Sequence, residues 1–227
     1  MADDTGTQPD GRPPRILLLY YSYSGQSRKM LQAAGEVFAE RGCEVVEAPI
    51  EFTDPQYSPR FAQFPLHRVW PDMLSVLKAQ QNGETGEIRT PDAVRDGDYD
   101  LICIGSPTWW KAPAMPIRSF LQTDEARKLL ADKPFAVFTV CRSFWQENYA
   151  EVCRLGEQCG GRYTDEIHLT YPGDSARSML ALTSYLGTGT YRERFLGLRL
   201  PPTNVQPEQL DSVRKFAAGL AGRLFGK

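Results

Sequence analysis

The apolar positions of the chain fall into short runs separated by stretches with helical spacing. Residues 15–20, 99–105 and 135–140 are almost continuously apolar, as expected of strands covered by helices on both faces. Residues 43–48 and 162–169 mix polar and apolar positions, which is typical of strands at the margins of a sheet. With the second and fifth strands outside, the order is 2-1-3-4-5. The sequence therefore predicts an α/β fold with a single doubly wound, five-stranded parallel sheet.

Helical spacing accompanies these strands. Apolar residues recur from Met30 to Phe38, and Gly42 stands where a glycine commonly ends a helix. Pro207 opens a final amphipathic helix. Residues 114–121 and 146–158 are predicted to be the third and fourth crossover helices.

Two segments are longer than the connections that a fold of five strand-and-helix units needs, and we interpret them as insertions at about residues 50–97 and 171–202. The first contains a helix predicted at residues 72–80. Long insertions in a compact domain are often lids or interface elements, but spacer loops and oligomer contacts explain them equally well. We predict a disordered leader at residues 1–14 and one domain, with these two insertions, at residues 15–227.

The composition of the chain excludes several classes of function. A net charge of -2 over 227 residues gives no electrostatic reason to expect a nucleic-acid partner. The start lacks the pattern of a signal peptide, and no apolar run approaches membrane-spanning length. Five cysteines without C-x-x-C spacing and two distant histidines predict reduced thiols and no metal site. We expect a cytoplasmic protein with a small-molecule substrate, and a homodimer stays open.

The turn YYSYSGQSRK follows the first strand and enters the first helix. Its polar residues include Ser22, Ser24, Ser27, Arg28 and Lys29. Backbone amides and the helix dipole converge there, the hydroxyls add donors, and Gly25 permits close approach. Arg28 and Lys29 oppose the dipole unless an anion or an acidic neighbour compensates. The nucleotide motif G-x-x-x-x-G-K-[ST], the dinucleotide motif G-x-G-x-x-G and the G-x-S-x-G elbow are absent from this turn, so a phosphate monoester fits best. A serine-rich turn with two solvated basic residues is the alternative.

The second polar and aromatic segment is GSPTWWKAPAMPIRSFL, residues 105–121, after the third strand. Ligands of this fold bind at the carboxyl ends of the strands where strand order reverses, between strands one and three. Trp109 and Trp110 could stack on a planar ligand there. Taken alone, adjacent tryptophans are more often a core anchor or an interface patch.

These two segments, in this order, resemble those of the flavodoxin-like family, which includes flavodoxins and FMN-dependent NAD(P)H quinone or azo reductases. The resemblance implies an FMN phosphate loop at Ser22, Tyr23, Ser24, Gly25, Gln26 and Ser27. It implies that the isoalloxazine is lined by Pro107, Thr108, Trp109, Trp110 and Lys111. It also implies a third cofactor-binding loop, after the fourth strand, which is formed by Cys141, Arg142, Ser143, Phe144 and Trp145. The chain departs from the family pattern at Lys111, where a glycine is common, and in the bulky CRSFW of the third loop.

The departures suggest chemistry for a bound flavin. Lys111 and Arg142 are the candidate catalytic residues, because a cation near the N1/C2 carbonyl edge stabilises negative charge on the ring. Arg142 is expected to lower the pKa of Cys141. Tyr185 and Tyr191 could donate a proton to a substrate carbonyl.

The resulting hypothesis is an FMN-dependent oxidoreductase, linked to NAD(P)H, that reduces or aromatises a small planar quinone-like or carbonyl substrate. An electron-transfer flavodoxin serving a redox partner is one alternative. A flavin-free scaffold or binding module is the other.

Overall fold

The computed structural model describes residues 11–226, which form ten strands and nine α-helices. In chain order the strands are β1 (Arg15–Tyr20), β2 (Glu44–Pro49), β3 (Glu51–Phe52), β4 (Ile88–Arg89), β5 (Leu101–Trp109), β6 (Ala112–Pro113), β7 (Pro134–Cys141), β8 (Arg162–Thr170), β9 (Arg194–Phe195) and β10 (Leu198–Arg199). The helices are α1 (Gln26–Glu40), α2 (Val69–Ser75), α3 (Leu77–Gln81), α4 (Asp92–Asp96), α5 (Met115–Phe120), α6 (Asp124–Leu130), α7 (Trp145–Gln158), α8 (Ser175–Thr188) and α9 (Pro207–Phe225). A 3₁₀ turn covers Ser58–Phe61.

The main sheet is parallel with the order β2-β1-β5-β7-β8, so the predicted order 2-1-3-4-5 is confirmed. The short β6 pairs antiparallel with β5. The predicted margins are confirmed as well, because β2 and β8 are only partly buried whereas the interior of β1 is fully buried. The third strand is longer than predicted. It continues to Trp109 because its later residues pair with β7, up to Pro107 beside Val140, and then with β6.

Side chains of β1 alternate between two cores, as the period of two in a strand requires. Ile16 and Leu18 pack with α1 and α9 on one face. Leu17 and Leu19 pack on the other face with apolar residues of α5, α6 and α7. Cys103 is fully buried, which confirms its predicted place in the core. A strand buried on both faces supports loops whose positions are fixed at its carboxyl end.

The predicted helices are present, with differences at three places. The helix expected at residues 72–80 is divided into α2 and α3. The third crossover continues beyond α5 into α6, whose first turn is capped by the Thr123 hydroxyl accepting from the Ala126 amide at 3.1 Å. The second insertion contains α8, and the Asp174 carboxylate accepts from the Arg177 amide at 2.9 Å. Both caps are readable in the sequence as Thr and Asp before helical stretches.

Residues 1–10 of the predicted leader lie outside the described residues. Residues 11–14 have no regular secondary structure, and Arg12 pairs with Asp100 at 2.8 Å. The division into a leader and one domain stays a prediction. Between residues 11 and 226, no helix is both long and apolar enough to cross a membrane.

Candidate functional site

A cavity of about 320 Å³ lies at the carboxyl ends of β1, β5 and β7. This volume falls in the range of roughly 300–1,000 Å³ that is usual for small-molecule sites. Its lining comprises Ser22, Tyr23, Ser24, Gln26, Ser27, Phe61, Leu66, Met73, Val76, Pro107, Thr108, Trp109, Trp110, Lys111, Val140, Cys141, Arg142, Ser143, Phe144, Tyr171, Met179, Leu182 and Leu186. All of the residues predicted to bind the flavin therefore line the cavity except Gly25 and Trp145.

The first loop carries the chain from β1 into α1. Gly25 has φ of 79°, a left-handed conformation that glycine adopts without a steric cost, and it caps α1 without a side-chain hydrogen bond. The first four amides of a helix have no intrahelical acceptor. The Ser22 hydroxyl accepts from one of them, the Arg28 amide, at 3.2 Å. The remaining positive end of α1 borders the cavity, and its first turn has no acidic residue.

Ser27 is the polar residue of this loop that most clearly lacks a protein partner. Its side chain is 2% exposed, lines the cavity and makes no hydrogen bond within residues 11–226. A buried hydroxyl without a partner is destabilising, so native structures usually provide one from the protein, from water or from a ligand.

Gln26 lines the cavity, but its side-chain amide stabilises the first loop through hydrogen bonds to other parts of the protein. Its amide nitrogen donates to the Ser24 carbonyl at 3.2 Å and to the Tyr185 hydroxyl at 3.3 Å. Its amide oxygen accepts from the Val205 amide at 2.9 Å. The side chain of Gln26 is thus a positioning element that joins the loop to α8 and to the segment before α9.

The two basic residues of the first turn lie on its exposed side. Arg28 and Lys29 are not among the lining residues, and Arg28 approaches Glu47 of β2 at 3.8 Å. The charges of Arg28 and Lys29 therefore do not indicate an anion in this cavity. Of the two kinds of compensation expected for Arg28, the structure provides an acidic neighbour, Glu47 on β2.

The second loop is a tight hairpin between β5 and β6. Trp110 and Lys111 are its two central residues, with φ of 50° and 73°. A two-residue hairpin of this kind requires positive φ at both positions and usually contains glycine or asparagine. Two non-glycine residues in left-handed conformations cost about 1–2 kcal/mol each. Such strain beside a cavity is typical of functional sites.

Trp109 and Trp110 are anchored by protein contacts as well as facing the cavity. The ring of Phe61 lies against Trp109 with centroids 4.8 Å apart and planes inclined by 32°. The edges of Tyr21 and Phe52 also meet Trp109. The indole nitrogen of Trp110 donates to the Met73 carbonyl at 3.1 Å. The tryptophans therefore attach the first insertion to the sheet.

The third loop, after β7, turns at Phe144, which has φ of 62° and is exposed. Arg142 donates to the Ser178 hydroxyl of α8 at 3.0 Å. Lys111 approaches Glu147 at 3.6 Å and lies 5.3 Å from the centre of the Phe144 ring. Trp145 stacks on His168, with centroids 3.6 Å apart, so the structure does not bring its ring to the cavity.

Cys141 is a neutral thiol. Burial raises the pKa of Cys141 to about 12, although a hydrogen bond with Thr108 and the charge of Arg142 act in the opposite direction. Arg142 does act to lower the pKa of Cys141, as expected, but the desolvation of the thiolate outweighs both favourable contacts, so the net pKa is raised.

The two insertions meet above the cavity, and we call them together the roof, made of residues 57–76 and of α8. The Leu66 amide donates to the Leu186 carbonyl at 2.7 Å. The rings of Phe64 and Tyr185 have centroids 5.1 Å apart. The Tyr23 hydroxyl donates to the Gln63 carbonyl at 2.7 Å, which fastens the roof to the first loop.

The candidate proton donors of the second insertion do not face the cavity. The Tyr185 hydroxyl donates to the Ser24 carbonyl at 3.3 Å and is not a lining group, and burial raises its pKa. Tyr191 is 44% exposed and lies outside the lining. Tyr171, which the sequence did not single out, lines the cavity, and burial raises the pKa of its phenol.

Sequence reasoning also missed residues that only the tertiary structure brings to the site. Asn148 of α7 is fully buried and donates to the Thr108 hydroxyl at 2.8 Å, while the Ser106 hydroxyl donates to its amide oxygen at 2.7 Å. These hydrogen bonds fix the position of the end of β5, from which the second loop begins. The missed lining residues are Phe61, Leu66, Met73, Val76, Val140, Tyr171, Met179, Leu182 and Leu186. The signal that could have identified Asn148 is its position on the buried stripe of α7, four residues before Val152 and seven before Leu155.

No family model matches the chain, and no curated protein matches it. Solved structures do. A flavoprotein from Lactobacillus acidophilus NCFM, in complex with FMN, is 20% identical, with 68% of this chain and 93% of that chain covered and a TM-score of 0.50. A protein named provisionally as a flavoprotein, from Bacteroides uniformis ATCC 8492, is 16% identical, with 74% and 98% covered and a TM-score of 0.50. A flavodoxin from the domain Archaea is 11% identical, with 92% and 98% covered and a TM-score of 0.49.

The strand order and the site lead to the same assignment. The sheet order is the one that characterises flavodoxin, and the cavity lies at the switch point between β1 and β5 where that fold places its ligand. Together with the similarity to solved flavoproteins, this establishes that the chain has the flavodoxin-like fold.

Proposed function

We propose that this protein binds FMN in the cavity and acts as an FMN-dependent oxidoreductase. One observation carries the proposal: a single cavity joins the serine-lined start of α1 to a compartment of aromatic side chains. A helix start suits a phosphate, and an aromatic wall suits a planar ring. FMN has these two parts in one molecule.

The residues present fit this cofactor. The buried Ser27 hydroxyl has no partner in residues 11–226, and a phosphate oxygen would accept its hydrogen bond. The buried Ser143 hydroxyl of the third loop lacks a partner in the same range and also lines the cavity. We assign the phosphate and ribityl end to Ser22, Tyr23, Ser24, Gly25, Gln26 and Ser27. We assign the ring to Pro107, Thr108, Trp109, Trp110, Lys111, Cys141, Arg142, Ser143 and Phe144. Trp145 supports this loop from outside by stacking on His168.

The comparison with the Lactobacillus flavoprotein supports the same cofactor, because that structure is a complex with FMN and has the same fold. The similarity covers 93% of that chain, so the shared part includes nearly all of the known flavoprotein.

FMN supplies hydride and electron transfer when bound, and the chain supplies orientation and charge. Lys111 and Arg142 are the charged residues among those that line the cavity. We propose that they stabilise negative charge at the ring edge. Cys141 stays protonated at neutral pH and is not a nucleophile. The Tyr171 phenol is neutral as well, and we propose it as a hydrogen-bond donor to a substrate carbonyl.

The roof favours an enzyme over an electron carrier. Transfer between proteins requires the ring edge at the surface, whereas Phe61, Leu66 and Met73 of the roof line the cavity and Phe61 lies against Trp109. A covered ring suits a small substrate that enters the cavity. We propose a planar quinone-like or carbonyl substrate, with NADH or NADPH as the electron donor.

The first experiment is an absorption spectrum of the purified protein, followed by fluorescence titration with FMN, riboflavin and FAD. We expect flavin bands, and binding of FMN at least tenfold tighter than riboflavin, because only FMN places a phosphate at α1. Absence of binding to all three flavins would overturn the proposal in favour of a flavin-free module. FMN binding with fast reduction by a redox protein and slow turnover with NAD(P)H would favour an electron-transfer flavodoxin.

A further inference from the structure

The inner surface of the roof differs chemically from the rest of the cavity. Apart from Phe61, the roof residues that line the cavity have saturated hydrocarbon or thioether side chains, contributed by both insertions: Leu66, Met73 and Val76 from the first, and Met179, Leu182 and Leu186 from α8. The other aromatic lining residues lie at or just after the carboxyl ends of β1, β5, β7 and β8: Tyr23, Trp109, Trp110, Phe144 and Tyr171. Aliphatic and methionine side chains adapt to irregular, non-planar groups and offer no strong hydrogen bonds.

The α8 residues form one continuous strip. Met179, Leu182 and Leu186 are separated by three and four positions, so they lie on one face of the helix. With a rise of 1.5 Å per residue, the strip extends about 10 Å along the cavity. All three side chains are only partly buried, so each presents apolar surface to the cavity.

Charge limits what this strip can accept. Among the lining residues of the described chain, the ionisable groups that carry charge at neutral pH are Lys111 and Arg142, and no carboxylate is present. Arg142 donates to Ser178, one residue before the strip begins. A cationic ligand is therefore disfavoured, whereas a neutral or anionic one is not.

From these observations we infer that the substrate carries a saturated chain, which lies along the roof while its planar part lies in the aromatic compartment. The inference rests on the proposed function, because the flavin ring is assigned to the aromatic compartment and the planar part of the substrate would lie beside it. It specifies the substrate class further, as an uncharged or anionic planar compound with an aliphatic substituent that fills about 10 Å of the roof.

Isothermal titration calorimetry with 4-ethyl-, 4-butyl-, 4-hexyl- and 4-octylphenol tests the inference, using FMN-saturated protein and the same preparation without FMN. Each added methylene that enters the strip is expected to strengthen binding by about threefold to fourfold. The gain should stop when the chain exceeds the length of the strip. An affinity that is independent of chain length overturns the inference.

Two variants on α8 locate the chain. Leu182→Trp fills the middle of the strip and is expected to abolish the gain beyond the ethyl compound. Leu180→Trp is the matched control, since Leu180 is also half-buried on α8 but does not line the cavity, and it should keep the full series. Leu186→Trp blocks only the far end and should shorten the series, which provides a second test if Leu182→Trp unfolds. Equal behaviour of Leu180→Trp and Leu182→Trp overturns the assignment to α8.

FMN titration of each preparation separates this inference from the proposed function. A chain-length series without a trend, in protein that binds FMN, overturns the inference alone. If the wild-type protein does not bind FMN, the proposed function is overturned. The phenol series then shows whether the roof binds an aliphatic chain in the absence of a flavin.

Discussion

Replacing Ser27 by alanine tests the phosphate site most directly. The Ser27 hydroxyl is buried, faces the cavity and has no partner in the described chain. Ser184 of α8 is its matched control, because its hydroxyl is equally buried and unpartnered but does not line the cavity. The two substitutions therefore each remove a buried, unpartnered hydroxyl from a helix. Of the two hydroxyls, Ser27 is the one that lines the cavity proposed for the ligand.

The expected magnitude comes from the strength of a hydrogen bond to a charged acceptor, about 1.5–3 kcal/mol. Ser27→Ala should thus weaken FMN binding by about 10- to 100-fold. Riboflavin lacks the phosphate, so its affinity should stay within about twofold of the wild-type value. The flavin-free protein should be unchanged or up to about 1 kcal/mol more stable, because the substitution removes an unsatisfied polar group.

Fluorescence titration of FMN and riboflavin, with urea unfolding of the flavin-free variants, measures all of these quantities. Ser184→Ala should reproduce the stability result and leave both affinities unchanged. The assignment is refuted if Ser27→Ala binds FMN as tightly as the wild type, or if FMN and riboflavin lose affinity equally. The second outcome would place Ser27 against the ring or the ribityl chain.

Three further predictions concern the loops and the core. Lys111→Gly should be about 1 kcal/mol more stable than Lys111→Ala in urea unfolding, because glycine adopts φ of 73° without the penalty that alanine retains; equal stabilities would show that the hairpin is unstrained. Gln26→Ala should lower the free energy of unfolding by about 2 kcal/mol, since it leaves the Val205 amide without its acceptor, and an unchanged melting temperature would contradict this. Burial raises the pKa of Cys103, so the folded state keeps its proton while the unfolded state loses it, and stability should fall above about pH 9 by up to about 1.4 kcal/mol per pH unit. Cys103→Ala should have a shallower alkaline decline than the wild type, and parallel declines would exclude a contribution from this thiol.

Strand positions and sheet order were predictable because a strand that is buried on both faces needs a continuous run of apolar residues. Residues 16–20 of β1 are apolar without interruption, since alternate side chains enter the two cores. The edge strands β2 and β8 show mixed polarity for the same reason. The loops of the candidate site were predictable from their place after these strands, because parallel strands bring their carboxyl ends to one edge.

The direction of individual side chains was less predictable. Arg28 follows the serine loop in sequence, yet the helix turns it towards Glu47 and away from the cavity. Trp145 follows Phe144 directly, but it is the first residue of α7 and stacks on His168 instead. A change of one position in a helix rotates a side chain by about 100°, so adjacency along the chain does not determine which residues share a site.

The parallel sheet could be predicted from the amino-acid sequence, together with its strand order and the loops that meet at its carboxyl edge. Each of these features depends on local periodicity and on residues close together in the chain. Only the tertiary structure determined the roof. It forms where the Leu66 amide bonds to the Leu186 carbonyl, a contact between segments separated by most of the domain. Neither insertion carries a periodic pattern that specifies the other, and the cavity wall exists only after both have packed against the same sheet edge.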